Sequence, residues 1–187
     1  MNSKTIKYII IILLLPVVPL KATAQTGIYY STNGQLSSSL INQLYQDQRG
    51  FIWISTEFGL NKFDGTHFTH YKHIDNDSTS LINNHVRGVF EDSYRNLWIR
   101  CLGGLMLYHP ETDDFELIKI EGKEGRHVTN IMELHNGEVW GITTGDTIFR
   151  INLTQKVIEP IDEINRKLHL KSFSSIYEDT RRNLWFI

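Results

Sequence analysis

Four tryptophans, Trp53, Trp98, Trp140 and Trp185, recur at intervals of 45, 42 and 45 residues, each within a similar local sequence. Their upstream neighbours align without a gap: nine residues before them stand Leu44, Val89, Ile131 and Ile176, and twelve before stand Ile41, Val86, Val128 and Phe173. A period of this length, built from short apolar segments, marks a repeat architecture, and the four-stranded blade of a β-propeller is the unit that fits it. The expected fold is all-β, a partial propeller of antiparallel blades.

The first repeat shows how a blade is written. Ile41–Gln46 is a strand, Asp47-Gln48-Arg49-Gly50 a turn, and Phe51–Thr56 a second strand. Glu57-Phe58-Gly59 turns the chain into Leu60–Phe63, and Asp64-Gly65 makes the hairpin into His67–Lys72. The second strand is apolar on both faces, Phe51 and Trp53 alternating with Ile52 and Ile54, so its sheet is expected to be covered on both sides. Stacked blades provide that cover, which makes the tryptophan the expected anchor between blades. Six residues before it stand Asp47, Asp92 and Asp179, a residue type whose short carboxylate accepts bonds from turn amides. The third repeat has Leu134 there, followed by Asn136-Gly137 as its turn signal, and it slips by about one residue after Gly145. It is the degenerate blade.

The ends of the chain carry separate signals. Lys4 and Lys7, an apolar run from Tyr8 to Leu20 interrupted by Pro16 and Pro19, and Ala22-Thr23-Ala24 read as a cleaved export signal; the run is shorter than the roughly 20 residues of a spanning helix. Without that segment, which holds Lys4, Lys7 and Lys21 of the 19 basic residues, the 21 acidic residues dominate, and a nucleic-acid partner is not expected. The lone Cys101 excludes an internal disulfide and reads as a small core residue, since Thr56 and Thr143 hold the same place. Ile28–Ser31 has the offset of a fourth, outer strand. The expected organisation is a signal peptide over 1–24, an outer closing strand and lead-in over 25–36, blades over 37–80, 81–124 and 125–168, and an incomplete fourth blade over 169–187. The chain reads as a fragment whose ring would be closed by further blades of a longer parent.

The string Tyr45–Gly65, with Phe90-Glu91-Asp92 to Leu97-Trp98-Ile99, Gly104-Leu105, and Tyr177-Glu178-Asp179 to Leu184-Trp185, resembles the two-component regulator propeller repeat. That resemblance implies propellers exported at the N-terminus of membrane sensor kinases, many of them hybrid two-component proteins that respond to carbohydrate fragments. It implies a periplasmic location, an oligosaccharide ligand, and a signalling output and transmembrane helix in the parent. Arg95 and Arg182 depart from the family's turn glycine, and Leu134 from its acid.

No nucleophile elbow, phosphate loop or zinc pattern is present, so no catalytic residue, cofactor or metal is expected. His67, His70 and His73 are three apart along one strand and cannot converge on a metal without a bend. Asp75-Asn76-Asp77-Ser78 lacks the glycine and terminal glutamate of a calcium loop. Asp77-Ser78-Thr79 and Asp146-Thr147-Ile148 have the form of short O-glycosylation acceptors, and Glu111-Thr112-Asp113-Asp114 reads as a solvated acidic turn. Ligand contacts are sought on loops held by the scaffold, with Arg49, Arg87 and Arg100 foremost and Glu57, Phe58 and Arg95 beside them. Arg100 breaks the repeat, standing where Ser55 and Ile142 stand elsewhere. A sensor module leads; a propeller enzyme acting on glycans and a non-catalytic scaffold are the alternatives.

Overall fold

The computed structural model describes residues 27–120, 127–145, 147–168 and 173–187. The expected signal peptide and Asp146 of the second acceptor pattern lie outside these residues. The first blade is the meander β1 (Ile41–Gln46), β2 (Ile52–Thr56), β3 (Gly59–Phe63) and β4 (Phe68–Tyr71), each strand antiparallel to the next. The second is β5 (Val86–Glu91), β6 (Leu97–Cys101), β7 (Gly104–His109) and β8 (Asp114–Ile120); the third is β9 (Val128–Glu133), β10 (Val139–Thr143), β11 (Ile148–Asn152) and β12 (Val157–Pro160). A helix, α1 (Asp162–Leu168), precedes β13 (Ile176–Glu178) and β14 (Leu184–Phe186), the first hairpin of a fourth blade.

The spacing of the tryptophans is explained by how neighbouring blades meet. Trp53 of blade 1 is fully buried in a cluster with Val86 and Val89, the residues twelve and nine before the next tryptophan. Trp98 is buried in the same way with Val128 and Ile131, and Trp140 packs with Phe173 and Ile176. Trp53, Trp98 and Trp140 are therefore each covered by the start of the following blade. Burying one contributes at most about 4–6 kcal/mol, from 150–250 Å² at about 25 cal/mol/Å². The end faces lack such cover among the described residues: Ile41 and Leu44 are 47% and 63% exposed, and Trp185 is 55% exposed.

A buried indole also needs a partner for its N–H. Asp47 accepts from Trp53 Nε1 at 2.9 Å with one carboxylate oxygen, and from the amides of Arg49 and Phe51 with the other. Asp92 does the same for Trp98 Nε1 at 2.9 Å and the amides of Tyr94 and Asn96, and its second oxygen also accepts from Asn96 Nδ2. Asp179 repeats the set with Arg181, Asn183 and Trp185. The aspartate thus shapes the turn and holds the indole together. In blade 3, where Leu134 is buried instead, Trp140 Nε1 donates to the exposed Glu138 at 3.1 Å.

A second repeated link crosses between blades. The glutamate ending β5, β9 and β13 reaches back to the preceding blade's turn: Glu91 accepts from the Gln48 amide at 2.7 Å, Glu133 from the Ser93 amide at 2.8 Å, and Glu178 from the His135 amide at 2.8 Å. These amides all lie five residues before a tryptophan, so the link has the period of the repeat.

Three features differ from the expectation. First, blades 2 and 3 are not separate sheets. The outer strands β8 and β12 pair in parallel through Lys119 and Val157 and through Ile120 and Ile158, which joins eight strands into one sheet. The seven-residue β8 is longer than the four-residue β4 and extends far enough to meet β12. Second, Ile28–Ser31 forms no strand, for no edge among the described residues pairs with it; Tyr30 instead packs edge-on against Phe63 and Phe68 with centroids 5.2 Å away. Third, α1 follows Pro160 where no helix was expected. Its acidic first turn and basic last turn suit the helix dipole. Ile161, Ile164 and Leu168 pack against Ile142, Ile148 and Ile176, and the Asn165 side chain bonds both the N–H and the carbonyl of Ile148 at 2.8 Å.

Replacing Asp92 with alanine strands the Trp98 indole and two turn amides, and should lower unfolding stability by about 2–4 kcal/mol. Glu138→Ala, whose bond to Trp140 is exposed, should cost far less. Urea unfolding of both variants measures the contrast.

Candidate functional site

In each of the three four-stranded blades the first and third hairpins lie at one end of the strands, while the second turn and the link between blades lie at the other. At the first end, the hairpins of blades 1 and 2 and the β11–β12 turn enclose a cleft of about 540 Å³, within the range of small-molecule sites. Arg49, Glu91, Tyr94, Arg95, Tyr108 and Lys156 are among its walls. Tyr94 is 66% exposed and offers a ring face next to these charges.

Arg95 occupies a costly backbone position. The turn residue three before each tryptophan is left-handed, with φ of 90° at Gly50 and 84° at Gly137, yet Arg95 and Arg182 adopt φ of 67° and 70°. Glycine enters this region freely, whereas a side chain costs about 1–2 kcal/mol there. Strain of that kind is tolerated where the surroundings fix it, and it collects at functional positions. The cleft wall is where Arg95 carries it.

Beneath the cleft lies a network that sequence reasoning missed. Asp113, in a left-handed turn with φ of 57°, directs its carboxylate back to blade 1. It accepts from Lys62 Nζ at 2.6 Å, from the Tyr71 hydroxyl at 2.6 Å and from the Tyr108 hydroxyl. The acidic turn expected to be merely solvated is thus a clasp between blades. Lys62 Nζ sits 5.3–5.6 Å from the ring centroids of Phe51, Trp53, Tyr71 and Tyr108, inside an aromatic cage. Arg49 lies over Phe51 and Tyr108 at 5.5 and 5.9 Å. Burial works against both charges of the pair, but their mutual bonds and those of the tyrosines outweigh it: the Lys62 pKa is raised and the Asp113 pKa lowered. A lysine among aromatic residues, facing an acidic turn one repeat later, was the available signal.

The other candidates are dispersed. Glu57 pairs with His85 at 2.8 Å and Phe58 is exposed, both at the opposite end of the strands from the cleft. His67 sits by Asp64, His70 approaches the Gln35 carbonyl at 3.1 Å, and His73 the Leu81 carbonyl at 2.7 Å, so the three serve separate local contacts. Cys101 is buried, and burial pushes its thiol up to about 12, as suits a core position.

Arg87 and Arg100 do come together, away from Arg49. β5 carries a bulge between Val86 and Gly88, so that Arg87 and Gly88 share Arg100 as their neighbour on β6. The same bulge recurs in the other blades with Asn42 and Thr129 as the extra residue, and with Ser55 and Ile142 in place of Arg100. Burial and then the Arg87 charge lower the Arg100 pKa. The Nε atoms of both arginines are buried without a hydrogen-bond partner.

Comparison with known proteins agrees with this architecture. The two-component regulator propeller model matches residues 35–58. A histidine kinase of Formosa agariphila is 46% identical over 46 residues, which cover 25% of this chain and 3% of that protein. The solved extracellular domain of a hybrid two-component system from B. thetaiotaomicron superposes with a TM-score of 0.71 at 24% identity, covering 85% of this chain and 23% of that one. A virginiamycin B lyase from Staphylococcus aureus reaches 0.57 at 16% identity over 78% of this chain and 48% of that one, a likeness of fold alone.

Asp113→Asn keeps a residue that tolerates the left-handed turn but removes the charge. At pH 7 it should lower stability by about 1–2 kcal/mol, a hydrogen-bonded charge discounted for half-exposure. A lowered folded pKa stabilises above the ordinary carboxylate value near 3.9 and loses that contribution as pH falls through the folded value. The gap between wild type and variant, read by urea unfolding, should therefore narrow below about pH 4. Taken together, the chain is a partial β-propeller that matches the two-component regulator propeller model over residues 35–58 and shares the fold of the solved extracellular domain of a hybrid two-component system.

Proposed function

We propose that the chain is part of the ligand-sensing propeller of an exported two-component regulator, and that the cleft among the hairpins of blades 1 and 2 and the β11–β12 turn takes a carbohydrate fragment. The observation that carries this reading is the pairing of the exposed Tyr94 ring with Arg95 held in a left-handed turn at the cleft wall. A tyrosine face suits the apolar face of a sugar ring, and arginine, asparagine and carboxylate groups suit its hydroxyls. Asn96 and Glu111 lie in the same cleft. Residues on hairpins of a rigid blade stack are well placed for recognition. Output to the cell interior would come from other parts of a parent protein across the membrane; among the described residues no helix is long and apolar enough to cross one. Glu91 is engaged by the Gln48 amide, which favours binding over a paired-carboxylate enzyme.

Arg95→Gly tests the reading because its two effects are opposed. Glycine relieves the turn, so unfolding stability should rise by about 1 kcal/mol. Affinity for the sugar that the wild type binds, found by calorimetry over neutral and acidic oligosaccharides, should fall about tenfold through loss of one charged hydrogen bond. Unchanged affinity in this variant and in Tyr94→Ala would remove the cleft from the account, and release of shortened sugars would favour an enzyme.

A further inference from the structure

The bulge on each inner strand is a repeated device with one exception. In blade 1, Gln43 Oε1 accepts from the Val89 amide of blade 2 at 2.7 Å; in blade 3, Asn130 Oδ1 accepts from the Ile176 amide of the next blade at 3.4 Å. Both side chains stand ten residues before their tryptophan. Blade 2 has Gly88 at that place. A Cβ there would meet first Gln43 Oε1 and then Arg100 Nη2, so the ends of these two side chains fill the space beside Gly88. Arg100 passes beside Gly88 and donates through Nη1 to the Thr129 carbonyl of blade 3, at 2.5 Å.

Bridging the blades accounts for Arg100 but not for Arg87. A neutral amide does the bridging in blades 1 and 3, so a second guanidinium at the bulge adds nothing to it. Among the described residues Arg87 forms no hydrogen bond or ion pair, and no carboxylate forms an ion pair with either arginine. Like charges, half-buried side by side with their Nε atoms orphaned, oppose folding unless something of opposite charge joins them. Guanidinium forks match the oxygens of carboxylate, sulfate and phosphate groups.

We infer that Arg87 and Arg100, set side by side by the β5 bulge and the absent side chain of Gly88, form a binding site for an oxyanion group on the inner rim of blade 2. The group is either a free inorganic oxyanion or the carboxylate or sulfate of an acidic sugar. The site is distinct from the cleft lined by Arg49, Tyr94 and Arg95 and stands without it.

Calorimetry at constant ionic strength with inorganic sulfate, an oligogalacturonide and a neutral oligosaccharide tests the site on the whole chain. The wild type should bind sulfate or the oligogalacturonide saturably, and Arg87→Ala should weaken that binding at least about tenfold, as expected for a lost charge-assisted contact. Because Arg87 bonds to none of the described residues, Arg87→Ala should fold with a Tm in the absence of anion equal to or above that of the wild type, and should lose the rise in Tm that the anion produces. Arg87→Gln supplies a second variant of similar size. Arg95→Gly should leave sulfate binding unchanged, which separates this site from the cleft. Tighter binding of the oligogalacturonide than of sulfate assigns the group to a sugar; the reverse order assigns it to a free anion. No saturable binding of either, or equal affinity in wild type and both Arg87 variants, would overturn the inference.

Discussion

The bond from an aspartate to an indole six residues later is the interaction on which the rest of the fold depends. Asp47 and Asp92 each satisfy a buried indole N–H and the amides of the turn between them, so one carboxylate couples local chain reversal to burial between blades. Without it, the tryptophan would carry an unpaired donor into a dry interface, at a cost comparable to much of what its burial contributes. Blade 3 shows the consequence of a different choice. Leu134 adds apolar burial but cannot accept a bond, and the Trp140 indole turns to Glu138 at the surface and stays half-buried.

Much of this was legible in the sequence because a blade is a local structure. The alternation of residues and the turn signals located β1 to β4 to within a residue or so, and the constant offsets of Val86, Val89, Val128 and Ile131 were visible as repeat positions, although their packing on the preceding tryptophan came only with the structure. Aspartate was expected to fix the turn. Its bond to the indole was not foreseen, although the constant separation of six residues was in view. The links made by Glu91, Glu133 and Glu178 share an offset too, but their partners lie 40–43 residues away on another blade, and a repeat alone does not show which neighbour a side chain reaches. Helix α1 was hidden because seven residues between two blades contribute little periodicity.

Functional candidates were legible mainly as departures from the repeat. Arg100 stood out because serine and isoleucine hold its place elsewhere; the reason for Gly88 beside it emerged only from the space that Gln43 and Arg100 fill. Arg95 was visible as a missing glycine, and its left-handed backbone shows what that substitution costs. Asp113, by contrast, was read as solvated, because nothing local reveals that its turn faces Lys62 of the preceding blade. Regular positions build the stack, and irregular ones such as Arg95 and Arg100 depart from it in backbone strain and charge.

Indole hydrogen exchange, followed by NMR for each of the four tryptophans, tests the central claim most directly. The account predicts slow exchange at Trp53 and Trp98, whose N–H groups are buried on a carboxylate between two blades, faster exchange at Trp140, and the fastest at Trp185, which is 55% exposed despite its bond to Asp179. Equal exchange at all four, or the greatest protection at Trp140 or Trp185, would contradict it.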